Sequence, residues 1–326
     1  MKRVRKGIVV FIMSALAHTV EAASLDHTAI VFSGMCDASA GIAISGDLFA
    51  AVNDEDNILR FYRTSQPGKP VQKIDLKPFL SQKKKAPEAD FEGAARLGNR
   101  VFLITSHGRS AQGKAAPLRH RLMALALTEQ AGLVKATLIG KPYTNLVADL
   151  ERERRFAQFG FAAASTRAPK SEHAFNVEAL TDTPEGHLLI GFRNPLVEKR
   201  AIVVPLTNPN EVILGQKPEF GEALLLDLGG LGLRGMGSMK SGYYLIAGPS
   251  ASGGECRLFL WSGPGSEPAV VSDVRFRGIN PEGICFHDSG DEFLALSDDG
   301  TRAIAGEDCK RLPEEQRQFR AYRVKL

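Results

Sequence analysis

Three segments of the chain share one layout. "DFEGAARLGNRVFLITSHGR" (90–109), "NVEALTDTPEGHLLIGFRNP" (176–195) and "INPEGICFHDSGDEFLALSDDG" (279–300) each open on a glutamate and a small residue. A short apolar run, a polar turn and a second apolar run follow, ending in charged or amide side chains. A pattern that returns along one chain marks a repeat architecture, in which each unit buries its apolar faces against its neighbours. The runs are strand-sized and turn signals return every eight to twelve residues or so, which indicates an all-β fold.

Reading outward from these segments gives further short runs, among them "AGIAI", "DLFAAV", "ILRFYR" and "VQKIDL" between residues 40 and 76. Runs after Glu92, after Glu178 and after the glycine-rich "GGLGLRGMGSM" fall into similar groups. The last group, "GICF", "EFLALSD" and "FRAYRVKL", is one strand short, and "HTAIVF" (27–32) supplies a candidate for it. Joining the two ends of the chain in one sheet closes a ring and removes an open edge. The expectation is therefore a β-propeller of four-stranded blades, closed by N- and C-terminal strands. Five blades are counted. A sixth would have to come from residues 141–174, whose spacing of Leu146, Leu150 and charged residues reads as helical, so that stretch is taken as an insertion. The same strands would suit a β-sandwich, but the repeat favours the propeller.

The first residues obey a different rule. Lys2, Arg3, Arg5 and Lys6 precede the apolar run "GIVVFIMSALA", and "TVEAAS" offers small residues for cleavage. This is the pattern of a secretory signal peptide over residues 1–23, leaving residues 24–326 as a single propeller domain in a secreted or periplasmic protein. An apolar run of 11 residues is too short to span a bilayer. Removing the leader takes the formal charge from +4 to +1, so the basic balance belongs to targeting and gives no support for nucleic-acid binding. The 4 cysteines lie beyond the leader, and an oxidising compartment favours a disulfide. If blades four and five are neighbours, Cys256 with Cys309 is the preferred pair. Cys285 falls inside an inner strand.

In a propeller the start of the first strand and the end of the second lie on one face. The entry positions are Asp37, Glu92, Glu178 and Glu282, with Arg234 at the glycine-rich start of blade four. The exit positions are Asn53, Asp54 and Asp56, then His107 and Arg109, then Arg193 and Asn194, then Asp298 and Asp299. Clustered carboxylates repel one another, and a divalent cation is a natural partner for them. Oxygen donors such as Glu92, Glu178, Glu282 and Asn194 suit calcium or magnesium. Glutamates that only brace neighbouring blades are the competing reading. Arg109 and Arg193 would grip an anionic substrate, and His107 would serve as an acid or base.

"GMCDASA", "NDEDNILRFYR", "EADFEGAARLGNRVFLITSHGR", "LLIGFRNPL" and "LDLGGLGLRGM" together resemble the bacterial family catalogued as domain of unknown function 3616. That resemblance implies no activity. The Glu-Gly entries are similar, more distantly, to those of esterase-like phytase-related and lactonase-type propellers, which implies a calcium site made by channel carboxylates. The sequence has no G-x-S-x-G elbow, H-E-x-x-H, Walker A or Rossmann motif, so a serine hydrolase, a zincin and a nucleotide cofactor are not supported. Two functions stay open. One is a metal-assisted hydrolase of an ester, lactone or phosphate ester, acting on a small anionic or ester substrate. The other is a propeller that binds a ligand or a protein without catalysis.

Overall fold

The strand that begins each repeat lines a central axis. In this computed structural model, which describes residues 23–326 apart from 81–86, 170, 172, 241, 252 and 287–289, five antiparallel sheets surround that axis as the blades of a propeller. Blade 1 is β3 (Ala40–Ser45), β4 (Leu48–Val52), β5 (Ile58–Arg63) and β6 (Gln72–Asp75). Blade 2 is β7 (Phe91–Leu97), β8 (Arg100–Thr105), β9 (Leu122–Gln130) and β10 (Leu133–Tyr143). Blade 3 is β11 (Asn176–Asp182), β12 (Leu188–Val197), β13 (Arg200–Leu206) and β14 (Leu224–Leu226). Blade 4 is β15 (Gly232–Met239), β16 (Gly242–Gly248), β17 (Arg257–Trp261) and β18 (Ala269–Arg275).

Blade 5 closes the ring. It contains β19 (Pro281–Phe286), β20 (Glu292–Ser297) and the C-terminal β23 (Gln318–Lys325). Its outer edge is made by β1 (Ser24–Leu25) and β2 (Ile30–Ser33), which pair one after the other with β23. Before β23 the chain makes a small hairpin, β21 (Ala303–Ile304) with β22 (Glu307–Asp308). The inner strands touch in cyclic order, β3 to β7 to β11 to β15 to β19 and back to β3.

Residue pattern explains the order of strands within a blade. The second strands, such as "LFAAV" in β4 and "YYLIA" in β16, are almost wholly buried because each faces a neighbouring blade on both sides. Outer strands are more exposed; in β18 only Val274 is buried. Five apolar clusters fill the five gaps between blades, so the core is a ring and has no single centre. At the closing gap Phe32 of β2 packs on Phe49 of β4 at 5.2 Å and on Phe319 of β23 at 5.3 Å between ring centroids. The stretch between β10 and β11 forms a helix, Leu146–Arg152, and shorter helical turns, whose Phe156, Phe159 and Phe161 join the cluster between blades 2 and 3. No described helix is long and apolar enough to cross a membrane.

The disulfide corrects the pairing expected from sequence. Cys309 bonds Cys36, with Cα atoms 5.7 Å apart, and does not bond Cys256. The loop after β22 folds back toward the start of blade 1, so Cys309 meets the N-terminal side of the seam. Cys256 instead lies buried in the gap between blades 4 and 5, its sulfur 4.0 Å from Asn280 Oδ1. Cys285 is also a buried thiol, in β19.

Candidate functional site

The inner strands of blades 2 to 5 enter the axis through the same irregularity. Pairing with the second strand skips one residue between Phe91 and Gly93, between Val177 and Ala179, between Leu233 and Gly235, and between Pro281 and Gly283. The skipped residues are Glu92, Glu178, Arg234 and Glu282. A β-bulge leaves its extra residue out of the ladder and re-aims its side chain. Blade 1 has no such bulge at its entry, and there Ser39 lines the axis beside Ala40 and Gly41 as Glu92 does beside Gly93 and Ala94. The small residue after the bulge is also explained. A Cβ on Gly235 would lie 2.0 Å from the Glu282 carbonyl oxygen, and one on Gly93 would lie 2.8 Å from Leu180 Cβ.

The result is a ring of Ser39, Glu92, Glu178, Arg234 and Glu282, one from each blade, at one end of a narrow axial cavity lined by all five inner strands. Two positions earlier in sequence stand Asp37, Asp90, Asn176, Gly232 and Asn280. Toward the other end of the axis Ser238 Oγ donates to Asp182 Oδ1 at 2.7 Å.

Charges within the first ring are unevenly matched. Arg234, 7% exposed, lies between two carboxylates: its Nε is 3.2 Å from Glu178 Oε2 and its Nη2 contacts Glu282 Oε1. Glu178 meets a second guanidinium, that of Arg193, whose Nη1 donates to Oε1 at 3.0 Å. Glu92 has neither an ion pair nor a hydrogen bond among the described residues, and its remaining exposure is to the axial cavity. Burial, with the charges of Glu178, Asp90 and Asp54, pushes its pKa well above the usual carboxylate range, against the opposing pull of Arg234.

The neighbouring carboxylates follow the same rule. Burial and the charge of Asp54 raise Asp37 to about 8, against the opposing pull of Lys310. Burial raises Asp90 to about 7, although Arg119 Nη1 donates to its Oδ2 at 2.9 Å and Ser106 Oγ bonds the same oxygen. One face of the axis thus gathers more buried carboxylate than its arginines and lysine neutralise.

Other side chains singled out in the sequence are committed elsewhere. Asp56 takes a forked pair from Arg60 at 2.9 and 2.8 Å, which fixes the turn before β5. Asp299 is gripped by Arg320 through Nε and Nη2, both at 2.7 Å, and accepts from Ser297 Oγ. Asp298 takes bonds from Asn280 Nδ2 and Gly300 N and bridges to Asp37 through the backbone. Arg109 donates to the carbonyls of Ser165 and Gly113, tethering the helical insertion. Besides its bond to Glu178, Arg193 donates to the carbonyls of Pro249 and Ala251, and Asn194 Nδ2 donates to Ser250 O, so both clamp blade 3 to blade 4. His107 is buried beside His120, and its Nδ1 bonds Thr105 O. Burial, then His120, lowers its pKa to about 3, so the ring is neutral.

Sequence reasoning missed Asp90, Glu55, Arg119 and Lys310. Asp90 carried a signal: it stands two residues before a bulge, as Asn176 and Asn280 do. Lys310 carried none, because it arrives from a loop 256 residues beyond Asp54.

With the site in place, comparison with known proteins adds the following. Residues 116–275 match the family model DUF3616, described as a protein of unknown function. That DUF3616 segment contains "LLIGFRNPL" and "LDLGGLGLRGM", and with them Glu178, Arg193 and Arg234; Asp37, Glu92 and Glu282 lie outside it. No curated protein matches the sequence. Among solved structures, a glutaminyl cyclase from Myxococcus xanthus is 9% identical over 93% of this chain and 96% of its own, with a TM-score of 0.45. A Trypanosoma rangeli sialidase is 9% identical over 80% of this chain and 42% of its own, with a TM-score of 0.41. A protein of unknown function from Bacteroides caccae is 11% identical over 81% of this chain and 72% of its own, with a TM-score of 0.34.

Proposed function

We propose that the chain is a ligand-binding propeller of an extracytoplasmic compartment, and that its axial ring binds a small ligand carrying positive charge. Calcium or another divalent cation is the first ligand to test. The observation that carries this reading is Glu92. Its ring equivalents Glu178 and Glu282 are paired with Arg234, whereas Glu92 lines the cavity with no ion pair or hydrogen bond among the described residues and feels Arg234 only at longer range. A carboxylate held in that setting gains most from a ligand that brings charge, and hard oxygen donors favour calcium or magnesium over softer ions. The buried disulfide suits an oxidising compartment.

Binding is favoured over hydrolysis because the arginines that would grip a substrate are engaged, and the histidine is sealed from solvent with its Nε2 unpartnered. Arg109 and Arg193 spend donors on backbone carbonyls, and His107 is buried with one ring nitrogen on the Thr105 carbonyl.

Thermal melting with added calcium tests the proposal. A ligand selective for the folded state at 100 times its dissociation constant stabilises by about 2.7 kcal/mol. The parent should melt higher with calcium and lower after EDTA, and Glu92→Gln, which keeps the shape but cannot ionise to meet a cation, should respond little. A parent indifferent to calcium and its chelation removes calcium from the proposal. An unchanged calcium response in the variant moves the site away from Glu92.

A further inference from the structure

Blade 1 holds a second group of carboxylates that uses none of Ser39, Glu92, Glu178, Arg234 and Glu282. Asp37, Asp54 and Glu55 each bring one oxygen to within 4.8 Å of the others. Asp37 is 1% exposed, and its Oδ1 has no hydrogen-bond partner; Oδ1 of Asp54 is likewise buried and without one. Among these oxygens sits the amine of Lys310, 2.9 Å from Asp37, 3.1 Å from Glu55 and 3.5 Å from Asp54.

The placement of that amine is built into the chain. Cys309, which precedes Lys310, is bonded to Cys36, which precedes Asp37, so the disulfide fixes the amine and the carboxylate together. Lys310 N donates to Gly300 O at 3.2 Å. Gly300 leaves room for the lysine stem: a Cβ there would lie 2.0 Å from Lys310 Cε. Asp54 and Glu55 are part-exposed, and so is Lys310, which gives the amine a route out to solvent and an ion a route in.

We propose that Asp37, Asp54 and Glu55 form a divalent-cation site, and that Lys310 is its tethered occupant in the cation-free state. A divalent ion enters by displacing the amine, and the buried Asp37 carboxylate stays in place as its anchor. The all-oxygen donor set selects calcium, magnesium or manganese over zinc or copper. Competition from the amine makes occupancy a matter of ion concentration, with the disulfide holding the competitor at the site.

Manganese serves as the probe because bound and free ions are counted separately by electron paramagnetic resonance. Full-length protein is titrated as parent, Lys310→Met, Lys310→Met with Asp37→Asn, and Lys310→Met with Glu92→Gln. Removing the amine should tighten one manganese site at least tenfold, Asp37→Asn should abolish that gain, and Glu92→Gln should leave it intact. A Lys310→Met protein that binds no more tightly than the parent overturns the proposal, as does a gain that survives Asp37→Asn. A gain lost with Glu92→Gln assigns the ion to the axial ring and overturns the blade 1 site while leaving the function proposed above standing. Gly300→Ala, which crowds the lysine stem, is the second variant and should change affinity in the same direction. If both variants fail to fold, the parent decides at millimolar manganese: Asp37→Asn must lose one bound ion, and equal stoichiometry refutes the site.

Discussion

Arg234 is the side chain whose removal separates a bracing ring from an idle one. It is buried and stands between Glu178 of blade 3 and Glu282 of blade 5. Arg234→Met keeps much of the stem's volume and deletes the charge. The two glutamates are not left equal, because Arg193 Nη1 still reaches Glu178 Oε1 at 3.0 Å, whereas Glu282, 8% exposed, has no other basic partner among the described residues. Stripping one partner from a buried ion pair costs about 3–5 kcal/mol, most of it the penalty for the charge left behind. Urea unfolding of Arg234→Met should show a loss of that size. Adding Glu282→Gln should recover about 2 kcal/mol, since a neutral amide is cheaper to bury than an orphaned carboxylate, and adding Glu178→Gln should recover much less. A loss below about 1 kcal/mol, the scale of an exposed pair, would refute the argument, and so would an equal rescue by the two glutamine substitutions.

Breaking the Cys36–Cys309 link by Cys36→Ser with Cys309→Ser removes a cross-link between residues 273 apart in sequence. The loop-entropy estimate for so long a loop is about 5.6 kcal/mol, and losses of about 2–5 kcal/mol are usual, read as a lower urea midpoint; an unchanged midpoint would show that the seam does not depend on it. His107 makes stability sensitive to acid. Its pKa in the folded protein is about 3 against an ordinary 6.5, so the unfolded chain takes up a proton that the folded chain refuses. The stabilisation is complete above the ordinary value and is lost as pH falls below it, by up to about 1.4 kcal/mol per pH unit. Unfolding at pH 7 and pH 5 should therefore show a smaller acid penalty in His107→Asn than in the parent, asparagine being chosen because φ here is +54°; equal penalties would remove His107 from the account.

How much of this was written in the sequence follows from which contacts are local. The blade repeat was legible because the glutamate, the small residue and the apolar run are neighbours in the chain, and the bulge forms within one hairpin. Blade closure was legible too, since a group short of one strand and a spare N-terminal run imply each other. The roles of the exit residues were not. Asp299 and Arg320 read as unrelated charges until β23 brings them together, and the donors of Arg109 are spent on an insertion whose packing no local pattern encodes. The disulfide was misassigned because blade adjacency says nothing of where a long loop returns. The equivalent entry positions of the three glutamates and of Arg234 were readable, but the bulge that aims them and the pairing of Arg234 with both neighbouring glutamates were not.

The central claim is that a positively charged ligand sits on the axis at Glu92. Anomalous diffraction from crystals grown with manganese tests it most directly. The account predicts a peak within coordination distance of the Glu92 carboxylate, on the cavity that the five inner strands enclose, and loss of that peak in Glu92→Gln. Manganese peaks confined to the outer surface, with Glu92 still facing an axis that holds no ion, would contradict it.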